Sequence, residues 1–165
     1  MDNIIYDHAF NLNEWTVLII TGLGFTLFFI LPKKFSKSVT AVNLLFGVVV
    51  GLMFDHTIAI KPIDYYDVGD ESKYQLFDLF SYIMYAPVGY LYIYLYEKLK
   101  LPTKKYWLIV YIVFWSIVGI GVEWLGVLTG IFHYKNGYKI TYSFPIYLFV
   151  QAFQIWLYHY LFKEK

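Results

Sequence analysis

Five apolar segments, parted by short breaks that carry most of the lysines, account for nearly the whole chain. A helix rises about 1.5 Å per residue, so about twenty apolar residues cross a hydrocarbon core about 30 Å thick. The segments lie near 14–31, 39–60, 76–97, 106–129 and 143–162. The breaks hold Pro32-Lys33-Lys34, the acidic stretch 61–75, Leu101-Pro102-Thr103-Lys104-Lys105 and Lys135-Asn136-Gly137. Pro32 and Pro102 suit helix ends, because proline cannot continue the backbone ladder. The expected fold is all-α, a polytopic transmembrane bundle of five spans forming a single membrane domain over 1–165.

Charge agrees with this reading. Only 15% of the residues are charged, and they gather in the breaks; a soluble domain carries roughly a quarter. The aromatic share of 23% suits rings held at headgroup depth. The alternating Tyr90, Tyr92, Tyr94 and Tyr96 read as such an inner aromatic belt. A net charge of +1 with no basic patch argues against nucleic acid. The chain has no cysteine, so disulfide and thiolate chemistry are excluded. The start, Met1-Asp2-Asn3-Ile4-Ile5, lacks a basic n-region, and no small-x-small cleavage motif follows, so the first span is expected to be retained.

Lysine asymmetry gives an expected orientation. Lys33, Lys34 and Lys37 mark the first break, Lys98, Lys100, Lys104 and Lys105 the third, and Lys163 and Lys165 the tail. The second break holds Asp64, Asp67, Asp70 and Glu71, and reads as a solvated outer loop. This places the N-terminus outside and the C-terminus in the cytoplasm of a cell bounded by its cytoplasmic membrane.

Within the spans, polar residues recur on single helical faces, where positions three and four apart align. The second span offers Asn43, Gly47, Gly51 and Asp55; the third, Asp78, Tyr82, Tyr85 and Gly89. The fourth offers Gly119, Glu123, Gly126 and Gly130; the fifth, Tyr147, Gln151, Gln154 and Tyr158. Such faces should meet other helices, since an unpaired polar group in hydrocarbon costs several kcal/mol. By helix rise, Asp55 and Glu123 lie about 24 and 25 Å from the inner ends of their spans, in the outer part of the core. With His56, Asp78, His133 and Tyr147 they form a candidate ligand-binding cluster open to the extracytoplasmic side.

Three chemistries suit that cluster. It can be a hydrogen-bonded network that fixes helix registry. It can be an acid/base pair in a lipid-accessible pocket, with Glu123, Asp55 and His56 as candidate catalytic groups. It can be a metal site, but no two-histidine spacing supports one and no metal is expected.

The segment Glu123-Trp124-Leu125-Gly126-Val127-Leu128-Thr129-Gly130-Ile131-Phe132-His133-Tyr134, followed by Ser143-Phe144-Pro145-Ile146-Tyr147, carries two resemblances. With the five-span layout and the early Pro-Lys turn, the chain resembles small uncharacterised five-span membrane proteins of Gram-positive spore-formers. Over about a quarter of its length it is similar to membrane carotenoid enzymes of the lycopene cyclase and carotenoid hydratase type. That likeness implies a pocket for a long polyene, with Glu123 matching the upstream acid. The cyclases carry paired glutamates after the proline; here Pro145 is followed by Ile146, Tyr147 and Leu148.

The functional expectation is an integral membrane protein that binds a membrane lipid or isoprenoid in an outer-leaflet polar pocket. An intramembrane enzyme acting on such a lipid is the first alternative. A structural or accessory subunit, as a homo-oligomer or with a membrane protein partner, is the second.

Overall fold

The computed structural model describes residues 9–70, 75–100 and 105–163. The leader 1–8, residues 71–74 of the acidic break, residues 101–104 of the third break and the last two residues lie outside the described residues. The chain is mostly helical. Its helices are α1 (Leu12–Ile30), α2 (Lys37–Asp55), α3 (Asp78–Lys98), α4 (Lys105–Leu128) and α5 (Ser143–Phe162). Two short strands, β1 (Tyr66–Val68) and β2 (Phe132–Tyr134), and a 3-10 turn over Ile140–Tyr142 complete the described elements.

Four stretches are long and apolar enough to cross a membrane: Leu12–Ile30, Lys37–Asp55, Tyr106–Leu128 and Ile140–Phe162. They belong to α1, α2, α4 and α5. The fifth helix, α3, is long enough at 21 residues but less apolar. Its position explains its composition. It packs against α1, α2 and α5, and is the helix with the most buried side chains. A helix surrounded by protein can carry hydroxyls that its neighbours satisfy, whereas one facing lipid cannot.

The tyrosines of α3 show this directly. Tyr90, Tyr92, Tyr94 and Tyr96 are all at most 4% exposed, so they form protein core and not the headgroup belt expected of them. Residues two apart on a helix point to opposite sides and residues four apart to the same side. Tyr90 and Tyr94 therefore stack on each other beside Phe35. Tyr92 and Tyr96 pack on the other side against Tyr111 of α4. The Tyr92 hydroxyl donates to the Gln151 carbonyl at 3.2 Å, and Tyr96 pairs with His159 Nε2 at 2.8 Å.

Helices α2 and α3 meet backbone to backbone. A Cβ on Gly47 would lie 2.0 Å from the Tyr85 carbonyl oxygen, and one on Gly89 would lie 2.5 Å from that of Asn43. Small residues allow such approach in membrane bundles. The polar faces converge here as well. Gln154 Nε2 of α5 donates to Gly89 O at 2.8 Å and to Asn43 Oδ1 at 3.2 Å, while Ser116 Oγ of α4 donates to Gln151 Oε1 at 3.1 Å. Glu97 and Lys163 join the C-terminal ends of α3 and α5 at 2.6 Å.

The second helix stops at Asp55, five residues short of the expected end at 60. The Thr57 hydroxyl bonds back to the Met53 carbonyl at 2.7 Å, and Phe54 O collects the amides of Thr57, Ile58 and Ala59. The chain folds over itself there, so Ile58 turns inward.

This turn leads into a strand pair that caps the bundle. β1 and β2 run antiparallel, with Tyr66 opposite Tyr134, Asp67 opposite His133 and Val68 opposite Phe132. Lys135 N bonds Tyr65 O and Gly69 N bonds Ile131 O, extending the ladder at both ends. After β2 the chain reverses through Asn136 and Gly137, both at positive φ (51° and 76°), closed by Tyr138 N to Lys135 O at 2.9 Å. Two consecutive left-handed residues are what a type I′ turn demands, and Asn-Gly meets that demand best.

The acidic stretch is thus not a solvated loop throughout. Tyr66, Asp67 and Asp70 are buried. Asp70 accepts from Asn13 Nδ2 at the start of α1. Lys135 Nζ lies 2.6 Å from Asp64 and 2.7 Å from Asp67, and so clamps one connection to the other. Burial alone would lower the Lys135 ammonium, but bonding to the two carboxylates more than offsets it and holds the group above its ordinary value. A raised lysine contributes stability that is complete below its unfolded value and is lost only as pH rises through the folded one. The clamp therefore persists across neutral pH. Lys135→Met should loosen the cap by about 1–2 kcal/mol, because Asp67 loses its cation while buried. Faster amide exchange at residues 66–68, with the helix centres unchanged, is the expected reading.

Candidate functional site

A cavity of about 130 Å³ lies beneath the strand pair, between the C-terminal ends of α2 and α4 and the N-terminal end of α5. Its floor is Tyr85 of α3. Much of its wall is apolar, with Val50 and Phe54 from α2, Ile146 and Val150 from α5, and Phe132 from β2. Two carboxyls enter that wall, Asp55 from α2 and Glu123 from α4.

Each carboxyl is held by hydroxyls. Tyr66 Oη donates to Asp55 Oδ1 at 2.7 Å. Glu123 Oε1 accepts from Tyr134 Oη at 2.5 Å and from Ser143 Oγ at 2.6 Å. Ser143 has one proton and gives it to Glu123, so Tyr138 Oη, 2.8 Å away, donates to Ser143 in turn. The Tyr147 hydroxyl also faces Glu123. Glu123 and Ser143 are buried. The phenols of the cap are pushed up from their ordinary value. Burial is the main cause for Tyr66 and Tyr134, reinforced by Asp55 and Glu123 respectively. They remain protonated donors at any physiological pH.

Glycines shape this site. A Cβ on Gly51 would lie 2.7 Å from the Tyr85 ring, and one on Gly119 would lie 3.1 Å from the Tyr147 ring. The glycine faces of α2 and α4 therefore seat two of the aromatic rings that line the cavity.

Of the six residues grouped from the sequence, Asp55, Glu123 and Tyr147 line this one cavity. The other three do not line it, although His56 and Asp78 stay within electrostatic reach of Asp55. His56 ends α2, is exposed, and donates from Nδ1 to Leu52 O at 2.9 Å. Asp78 is buried at the start of α3, where it accepts from Gln75 N at 2.7 Å. His133 sits in β2 opposite Asp67. Among the described residues no group of three or more His, Cys, Asp or Glu is placed to hold a metal ion.

Of the hydroxyls at the site, that of Tyr147 was singled out from the sequence, and Tyr82 and Tyr85 stood on the polar face of α3. Tyr66, Tyr134, Tyr138 and Ser143, which lie in or beside loops, were not. With 18 tyrosines in 165 residues, tyrosine alone is no signal. The pairing of β1 with β2 decides which of them reach the carboxyls.

The arrangement offers two fixed acceptors in a small, mostly apolar space. It can receive a hydrogen-bond donor from a ligand, and it can take up or release a proton. No family model, no curated protein and no solved structure matches the chain.

Proposed function

We propose that the chain crosses the cytoplasmic membrane five times, N-terminus outside, and binds a lipid or isoprenoid through the cavity that holds Asp55 and Glu123. Counting α3 as the fifth span follows from its length, about 31 Å at the helical rise, and from its place among the other helices. The orientation rests on the balance of lysines: Lys33, Lys34, Lys37, Lys98, Lys100, Lys105 and Lys163 fall at the end of the bundle away from the strand pair, against Lys61, Lys135 and Lys139 at the other among the described residues. The local likeness of residues 123–147 to membrane carotenoid enzymes implies the same class of ligand.

One observation carries the reading. Two carboxyls from different helices share a mostly apolar cavity, and hydroxyls on separate elements hold them in place. A network needed only for helix registry gains nothing from an open space between its members.

Mass spectrometry of the full chain released from mild detergent tests this, beside the double variant Asp55→Asn, Glu123→Gln. Lipid should stay with the native protein and fall at least several-fold in the variant. Equal retention would overturn the reading.

The shared cavity also favours an intramembrane enzyme over an accessory subunit. There Glu123 serves as general acid and Asp55, with His56 within electrostatic reach of it, as the second acid/base group. Turnover of an isoprenoid or phospholipid by purified protein, abolished by Glu123→Gln, separates that reading from binding alone.

A further inference from the structure

The chemistry of the cavity narrows its occupant further, on the premise that it binds a lipid. The geometry points to a long-chain alcohol, a lipid whose polar end is a neutral hydroxyl, as the ligand class.

The wall contains no lysine or histidine, and the chain contains no arginine at all, its 13 basic residues being lysines. Of the described lysines at that end of the bundle, Lys61, Lys135 and Lys139, none lines the cavity, and Lys135 is held by Asp64 and Asp67. Phosphate recognition relies on cationic forks or ammonium groups, and a phosphate here would face two carboxyls instead. A phosphorylated head is therefore disfavoured by charge before any contact is made.

Tyr85 decides between the remaining heads. Its hydroxyl meets no hydrogen-bond partner among the described residues, and it stands within electrostatic reach of both Asp55 and Glu123. The cavity thus presents an open hydroxyl, which has a proton to give, beside carboxyl oxygens that accept. An alcohol answers both needs, accepting from Tyr85 and donating to a carboxyl. An ammonium is drawn by the same two carboxyls, but it only donates: Tyr85 can then serve solely as an acceptor, and its own proton stays unpaired. At about 130 Å³ the cavity takes the head and the first carbons, against Phe54, Ile58, Ile146 and Val150. The rest of the chain stays in the bilayer.

Three probes that share one tail test the head alone: octadecanol, octadecylamine and octadecyl phosphate. Each is offered to the delipidated full chain in detergent, and retention is read by native mass spectrometry and by the shift in melting temperature. Octadecanol should bind at least tenfold more tightly than the other two. Tyr85→Phe keeps the ring against Gly51 and removes only the hydroxyl. It should weaken octadecanol about tenfold, the value of one good hydrogen bond, without changing the melting temperature of the empty protein by more than a degree or two. Preference for the phosphate or the amine would overturn the alcohol assignment while leaving lipid binding in place. Unchanged octadecanol binding in Tyr85→Phe would overturn it as well. Retention of none of the three would overturn both this assignment and the lipid-binding reading beneath it.

Discussion

Gly47→Ala should destabilise the protein by about 3 kcal/mol, a large loss for a single added methyl. The new Cβ would sit 2.0 Å from the Tyr85 carbonyl oxygen. That oxygen belongs to the backbone of a buried helix and cannot rotate away. Relief requires α2 to move off α3, which would also disturb the bond from Gln154 to Gly89 O. Helix propensity acts in the opposite direction, favouring alanine by about 1 kcal/mol, and is too small to offset the clash. Gly22 provides the control, because nothing lies within 4 Å of its would-be Cβ. Gly22→Ala should leave stability unchanged or raise it by up to about 1 kcal/mol. Unfolding by denaturing detergent, monitored by circular dichroism, compares the two. Equal stability of both variants would mean that α2 and α3 do not meet through Gly47.

The second large effect is expected at Glu123. Glu123→Ala removes the oxygen that accepts from both Tyr134 and Ser143. Each stranded hydroxyl costs about 1–3 kcal/mol, so the loss should reach about 2–6 kcal/mol. Glu123→Gln behaves differently. Both donors converge on Oε1, and an amide carbonyl can stand in its place. That variant should lie within about 1 kcal/mol of the native protein. The gap between alanine and glutamine measures the acceptor itself. If the two variants melt together, the hydroxyls do not depend on Glu123. The same contrast makes Glu123→Gln a fair partner for ligand tests, since its fold should survive.

Much of the helical layout was legible from hydropathy. The ends of α1, α3, α4 and α5 fall within two residues of the segment limits read from the sequence. The end of α2 was not legible. Ile58 and Ile60 are as apolar as any lipid-facing residue, and hydropathy does not register that Thr57 and Phe54 close the helix early. The tyrosines of α3 were misplaced for a related reason. An amphipathic ring suits both a membrane interface and a protein interior with acceptors, and composition does not distinguish them.

The site was partly legible. Helical rise put Asp55 and Glu123 at one depth, and both line one cavity. His56, read as the neighbour of Asp55 on the next face, is exposed outside the cavity and stays within electrostatic reach of Asp55. Asp78 and His133 were grouped by depth as well, and serve the start of α3 and the strand pair instead. Ser143, Tyr134 and Tyr66 depend on contacts between remote parts of the chain, which local patterns do not encode.

The strand pair has a bearing on how this site comes into being. Tyr66 and Tyr134 face each other across 68 positions of sequence, with two helices threaded between them. Local pairs form readily, while distant ones must wait for loop closure. The apolar helices α1, α2 and α4 can each enter a bilayer as separate units, but β1 has no mate until α4 has formed and β2 has emerged beyond it. The hydroxyls that orient Asp55 and Glu123 come from these two segments. Until the last helices are in place, the first half of the chain therefore carries Asp55 without the partner wall. The cavity would be closed only in the completed protein, so the occupancy proposed for it would report on assembly as well as on ligand.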